Sequence, residues 1–438
     1  MARPDVVSGR WQTSGERIRC ICNKNSSLVP SCSGQTNSCS RRCRCYTGEV
    51  PKYDVAVVGA GPSGSTTAYH LAQAGARVLL LDRAEFPREK PCGGGVTARA
   101  FERAPIDITP VVEQTVNRVR FSFRLGDFFD YEYPRPLVYM TQRHRLDAFL
   151  VQQAVGSGAE FHGGSQVREL ELSRDEARIA ANGDIYDAAV VVGADGANGV
   201  VARAAGLNPF KRPPVALEAN LPYASGLVPA EWSDLLALEL GSMPGGYGWS
   251  FPKADHFNVG CGGWQSYGGR LRSHLSKLQR HYGLKSADMQ NVRGHHLPTR
   301  DEGTPIVRGR ALLVGDAAGL VDPMSGEGIY AAFVSGHLAS ARILRYLDGK
   351  EPDLWPYEGA VERELMPDIR FAKLLRDAYH HTPWPCFFML RHNERLRLSL
   401  CQLISGERSY AGFMRQLGPL QYVLRYWAAR GRKARASR

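Results

Sequence analysis

At 438 residues, 43% of them hydrophobic, the chain can bury a sizeable core in two or three domains or in one interleaved unit. Its net charge of +12 sits at the ends: residues 1–52 carry nine Lys/Arg against three Asp/Glu, residues 389–438 carry eleven against two, and the middle is left at −3. Basic ends on a faintly acidic body argue against a nucleic-acid groove and for tails or a surface-docking segment. No apolar run approaches the ~18 residues of a membrane span and no signal-peptide core follows Met1, so the expected location is cytoplasmic or peripheral to the cytoplasmic membrane.

Residues 1–50 lack apolar periodicity and hold six of the ten cysteines: Cys20, Cys22, Cys32, Cys39, Cys43 and Cys45. Their spacings are not the paired C-x₂-C of common zinc modules, and disulfides would need an oxidising compartment. The expectation is a disordered or accessory Cys-rich extension, with the folded chain starting near Val50 and no metal site assigned.

From Tyr53 to Asp82 the chain reads strand, glycine turn, helix, strand. Tyr53–Val58 is a β-branched run suited to a buried parallel strand. Gly59, Gly61 and Gly64 then form G-x-G-x-x-G: a tight turn, a place for backbone to approach a pyrophosphate, and close helix–strand packing. A helix from Pro62 to about Ala74 aims its free N–H groups at phosphate and stops at Gly75. A strand over 77–81 delivers Asp82, whose carboxylate can accept both ribose hydroxyls. This unit predicts dinucleotide binding, NAD or FAD.

Next, Cys92 precedes Gly93, Gly94 and Gly95, a run that lets backbone come close to something flat or bulky. Residues 116–132 alternate as strands, 143–156 read as a helix, 160–173 as a strand pair at a sheet edge, and 185–192 as a buried strand returning to the first sheet. Residues 213–300 are rich in Gly, Trp, Tyr and Pro. There Tyr247, Trp249 and Phe251 are spaced two apart, on one face of a strand, as an aromatic wall or as plain core. Residues 309–316 read as a third parallel strand ending in Asp316, and Gly326-Glu-Gly328 opens a helix over 329–347. Asp316 therefore emerges where open α/β sheets bind ligands. From Trp384 an amphipathic basic helix, with Arg391, Arg395 and Arg397 among its apolar residues, leads into a polar basic tail suited to a membrane surface. Two strand–turn–helix units far apart in sequence suit a cofactor running from an AMP site to a distant ring, which favours FAD over NAD.

Taken together, GAGPSGS (59–65), KPCGGG (90–95), GADG (193–196), GGYGWSFPK (245–253) and GDAAGLVDPMSGEGI (315–329) resemble the geranylgeranyl reductase family of flavoproteins, within the larger group similar to p-hydroxybenzoate hydroxylase. The resemblance covers about residues 52–400. It implies an α/β fold: a Rossmann-like FAD-binding domain (51–115 with 140–212 and 300–350), an inserted antiparallel β-sheet substrate domain (116–139 with 213–299) and a C-terminal helical region with a basic tail (351–438). It also implies an FAD site made by Gly59, Gly61, Ser63, Gly64, Asp82, Cys92, Gly93, Gly95, Arg143 (spaced R-x-x-x-D with Asp147), Val167 through its backbone, Asp316, Gly328 and Ile329. A polyprenyl chain would lie on the strand of Tyr247, Trp249, Phe251 and Lys253. The implied reaction saturates an isolated C=C bond: hydride from reduced flavin to one carbon, a proton to the other, electrons from NAD(P)H or ferredoxin. Cys92 and Tyr247 are the candidate proton donors by neighbourhood. The sequence departs from the family in its Cys-rich head and in reading PCGGG where chlorophyll-pathway members have PCGGA and archaeal-lipid members CGEG. A flavin monooxygenase or halogenase on the same fold is the rival, although the W-x-W-x-I-P signature expected of halogenases is absent.

Overall fold

Strand Lys52–Val58 lies inside an eight-stranded sheet because its residues are apolar on both sides: Val55, Ala56 and Val57 are fully buried. Across the sheet run Glu160–His162, Val78–Leu81, Lys52–Val58 and Asp184–Gly193, all parallel. The carboxyl end of Asp184–Gly193 pairs in parallel with Ala311–Leu313, while its amino end continues antiparallel into Ala177–Ala181 and then Val167–Leu172. Helix Pro62–Gln73 packs against helices Arg143–Gly156 and Ile329–Leu347. The computed structural model describes residues 52–223, 229–282 and 289–436, with Val50 and three short strands before it.

A seven-stranded sheet is drawn from two separated segments. Its order is Gln290–His296, Val215–Pro222, His256–Gly263, Gly248–Pro252, Leu235–Leu240, Arg118–Phe123, Phe128–Glu132, antiparallel except between Leu235–Leu240 and Arg118–Phe123. Helix Leu271–His281 covers one face, burying Leu271, Leu275 and Leu278 against Val259 and Cys261. The other face carries Trp249 and Phe251 against the backbone of Gly93 and Gly95. A three-stranded sheet, Gly95–Thr97, Val138–Met140 and Gln114–Val116, joins the two.

Four expectations change. Residues 160–173 hold two strands that do not pair with each other but lie at opposite ends of the sheet order; alternation reports a half-buried strand, not its partner. The third parallel strand is only Ala311–Leu313, because Gly309 (φ +57°) turns a short hairpin before it and Gly315 (φ +53°) ends it. Where one amphipathic helix and a basic tail were expected, the region after Trp384 is four helices, Pro383–His392, Glu394–Ser405, Tyr410–Gln416 and Leu420–Ala436. Asn393 breaks the first pair, its side chain accepting from Leu396 N, and Gly406 (φ +84°) ends the second helix. In the head, expected as a disordered or accessory extension, Val6–Thr13, Glu16–Asn23 and Arg44–Thr47 form a small antiparallel sheet with Cys20 opposite Cys45 in register, so the disordered alternative gives way there; Cys32, Cys39 and Cys43 lie outside the described residues. No helix among the described residues is long and apolar enough to cross a membrane.

The C-terminal helices are tied to the first sheet through Arg300. Its fully buried guanidinium bonds Glu358 at 2.8 Å, the Thr304 carbonyl at 2.9 Å and reaches Glu362 at 3.2 Å. Removing one partner of a buried pair costs far more than the pair contributes. Arg300→Met is expected to lower unfolding stability by about 3–5 kcal/mol in denaturant titration. A loss below about 1 kcal/mol would mark the pair as solvent-screened.

Candidate functional site

The three motif glycines do different work. A Cβ on Gly59 (φ +102°) would sit 2.3 Å from the Ala194 carbonyl oxygen, and one on Gly64 would sit 1.8 Å from the Gly59 carbonyl oxygen, so both are fixed by chain packing. Gly61 instead faces open space, where the nearest atoms to a Cβ are guanidinium nitrogens of Arg88 (3.7 Å) and Arg143 (3.9 Å). A cradle of backbone faced by two cations fits a pyrophosphate. Asp82 is buried beside it, accepting from Ala60 N at 2.8 Å and Ala84 N at 3.0 Å. Its carboxylate thus holds the glycine turn in shape while keeping acceptor capacity for hydroxyls.

Arg143 opens its helix fully inside the protein and grips Asp147 with two bonds, 2.8 and 2.7 Å. Burial alone would favour the neutral guanidine, but Asp147 and Cys92 reverse this and hold the charge firmly. Arg88 reaches Asp147 at 3.0 Å from the other side. Ser63 is buried in the first helical turn, and a Cβ on Gly315 would touch its Oγ at 2.7 Å, so the two strand–turn–helix units meet here. Val167 begins its strand just beyond Ser165, whose N–H donates to the Asp82 carbonyl at 2.7 Å.

The glycine run lies between the two sheets. Cys92 N donates to Glu218 Oε1 at 2.8 Å, and Gly94 N to Cys92 Sγ at 3.4 Å. A Cβ on Gly93 would meet two Phe251 ring carbons at 2.9 Å and Trp249 Nε1 at 3.5 Å; one on Gly95 would meet Val138 at 2.9 Å. Tyr247, Trp249 and Phe251 follow one another up this face, with ring centroids 6.1 and 6.3 Å apart. Trp249 donates to Asn258 Oδ1 at 2.8 Å and lies flat over Gly260. The Tyr247 hydroxyl donates to the Ser325 carbonyl, and burial raises its pKa. Lys253 reaches under the same loop: Nζ donates to the Thr141 carbonyl at 3.0 Å beside Gly94, and burial brings its pKa down to about 8.

Asp316 lies at the far side, 3.3 Å from Lys90 Nζ and 3.5 Å from His295 Nε2. Burial pulls its pKa upward, but Lys90, His295 and Arg143 win and hold it well below the carboxylate range. Gly328 stands 3.2 Å, at its would-be Cβ, from Asp316, and Ile329 starts the long helix. Glu327 already caps that helix, accepting from Tyr330 N at 2.7 Å. Sequence reasoning missed Arg88, Lys90, His295 and Glu218. The first two sit in an irregular loop and the last two on separate strands, so none carries a periodic signal.

A glycine turn faced by two guanidiniums, a buried carboxylate beside it and a glycine loop set on aromatic rings fit one class: an FAD-dependent oxidoreductase. Residues 52–221 match the family model described as FAD binding domain. The chain is 30% identical over 348 residues to the geranylgeranyl diphosphate reductase of Rhodobacter capsulatus, covering 76% of this chain and 85% of that protein. It is 31% identical over 309 residues to digeranylgeranylglycerophospholipid reductase 1 of Methanopyrus kandleri, covering 66% and 79%. In fold it is similar to a geranylgeranyl bacteriochlorophyll reductase-like protein from Thermoplasma acidophilum (TM-score 0.72, 23% identity, covering 85% of this chain and 100% of that one). A flavin-dependent brominase shares the fold as well (TM-score 0.67, 20% identity, 85% and 99% covered). The chain belongs to the geranylgeranyl reductase family.

The purified protein is expected to carry FAD. Asp316→Ala is expected to lose most of it, read from visible absorbance and from flavin released on denaturation. A colourless protein that cannot be reconstituted with FAD would contradict this.

Proposed function

We propose that this protein saturates C=C bonds of a geranylgeranyl or other polyprenyl chain, carried on a diphosphate, quinone, glycerolipid or pigment ester. The observation that carries this reading is the direct seating of Gly93 on the Phe251 and Trp249 rings, which leaves an apolar wall against the loop assigned to the flavin. The two named relatives support it: their names share the geranylgeranyl chain and differ in what it is attached to. FAD supplies the hydride when bound. Arg88, Arg143 and the Gly61 turn would hold its pyrophosphate, Asp82 its ribose, and Asp316 the stretch between pyrophosphate and ring. Tyr247, Trp249 and Phe251 would orient the olefin, exclude water and favour developing positive charge. NAD(P)H or ferredoxin would supply the electrons. The residue ranges read as FAD-binding, substrate and C-terminal helical domains follow the same division of labour.

Fold likeness to a brominase supports a second reading, oxygen chemistry on an organic substrate. Oxygen consumption coupled to NAD(P)H oxidation would favour it. Mass spectrometry of lipids and quinones from cells with and without the protein tests the first reading: prenyl chains richer in hydrogen are expected where it is present. Unchanged chains would count against it.

The helix Pro383–His392 adds a membrane contact to the proposal. It buries Phe387 and Leu390 but leaves Trp384, Phe388 and Met389 exposed, the first two stacked at 5.4 Å. Exposed aromatics beside Arg391 and Arg395, in the most basic part of the chain, suit an anionic bilayer surface. Co-sedimentation with phosphatidylglycerol vesicles is expected, weaker at high salt and weaker for a Trp384→Ala/Phe388→Ala double variant. Equal sedimentation of that variant would remove these rings from the contact.

Trp249→Ala separates wall from core. As a wall residue it is expected to cost about 2–4 kcal/mol of binding for a long prenyl chain, with flavin content intact and short-chain turnover less affected. A fall in melting temperature and flavin content together, without chain-length selectivity, would make it plain core.

A further inference from the structure

The reaction needs a proton donor, and the structure offers one besides the neighbourhood candidates Tyr247 and Cys92. The Tyr247 proton is committed to the Ser325 carbonyl, and Cys92 Sγ accepts from Gly94 N within its own loop. Lys253 is bound under the glycine loop, and Asp316 is held ionised between Lys90 and His295.

Glu218 is placed differently. Its strand pairs so that Glu218 faces Gly260, and Gly260 faces Trp249 across the next pairing. Gly260 has no side chain and the Trp249 ring lies over it, so Glu218 directly follows the aromatic wall on the same sheet face. Its Oε1 accepts from Cys92 N at 2.8 Å, which sets the carboxyl against the glycine loop. The cleft it lines also contains Glu89, but Glu89 is exposed and pairs with His144 at 3.2 Å. Glu218 is thus the partly buried carboxyl at the junction of loop, wall and cleft.

We propose that Glu218 is the proton donor of the reaction. The proposal rests on the reading of this protein as a prenyl-chain reductase. One olefin carbon takes a hydride from the reduced flavin as the C=C π bond breaks. The other takes the proton of the Glu218 carboxyl, forming the second C–H bond and leaving a carboxylate. The olefin is reduced by two electrons and the flavin oxidised by two. Water entering past the exposed Asn291 and Arg293 at the cleft rim returns the proton.

The surroundings suit an acid near neutrality. Burial pushes Glu218 up to about 7, against the opposing pull of the Cys92 N–H, Lys253, Asn258 and Arg143. Glu89, Lys90, His256 and Arg293 are the other titratable or charged groups around this cleft, Arg293 standing opposite Glu218 in the strand register. Gln in place of Glu218 keeps an oxygen for Cys92 N but has no acidic proton.

The test uses FAD-loaded wild type, Glu218→Gln and Glu218→Asp, each checked for flavin content and melting temperature. Each is reduced anaerobically and mixed with geranylgeranyl diphosphate or a geranylgeranyl glycerolipid. Glu218→Gln is expected to reoxidise about 10²–10⁴-fold more slowly than wild type, and Glu218→Asp less so. Infrared difference spectra of wild type against Glu218→Gln, taken without substrate, are expected to show a protonated-carboxyl band that titrates near neutral pH. Wild-type reoxidation by flavin-replete Glu218→Gln, or no such band, overturns the assignment while the reductase reading stands. Failure of the wild type itself to reoxidise with either prenyl substrate overturns the reductase reading and this proposal with it.

Discussion

The arrangement depends on one contact, a glycine loop laid bare on an aromatic strand. Any side chain at Gly93 would run into Phe251, and any at Gly94 into the Thr141 carbonyl at 2.1 Å. The strand that carries the rings can therefore approach the loop to within backbone thickness. Tight packing of this kind is intolerant of even one added methyl group. Gly94, at φ +62°, also needs a conformation that residues with a Cβ rarely adopt.

Charge is handled by pairing before any ligand arrives. Arg88 and Arg143 share Asp147, and Lys90 and His295 share Asp316. An isolated buried charge would be costly, so each of these carboxylates has basic partners, and the two guanidiniums on one Asp147 leave a net positive charge facing Gly61. The pairs also preorganise the site: the guanidiniums that face Gly61 are held in place by a carboxylate behind them. Glu218, in the cleft beside them, makes no such close ion pair among the described residues, and burial leaves it protonatable near neutrality.

The dinucleotide unit was legible because its function is written in backbone geometry. Gly59, Gly61 and Gly64 each encode a conformation or an approach, and helices 143–156 and 329–347 follow from apolar periodicity ended by turn residues. The aromatic strand was legible too, since Tyr247, Trp249 and Phe251 carry the period of two. What stayed hidden was pairing between distant segments. Glu218 reads as an ordinary polar position on a half-buried strand, and only the register through Gly260 sets it beside Trp249. For the same reason 160–173 looked like a local pair although its strands take distant partners. Arg88 and Lys90 were invisible because isolated charges in a loop have no pattern to match.

The claim at the centre of this account is that reduced flavin in this protein passes its electrons to an isolated prenyl C=C bond. The most direct measurement is the mass of a geranylgeranyl substrate after incubation with stoichiometric reduced enzyme in the strict absence of oxygen. The account predicts a product heavier by two hydrogens per flavin reoxidised. A substrate of unchanged mass, with flavin that reoxidises only when oxygen is admitted, would contradict it.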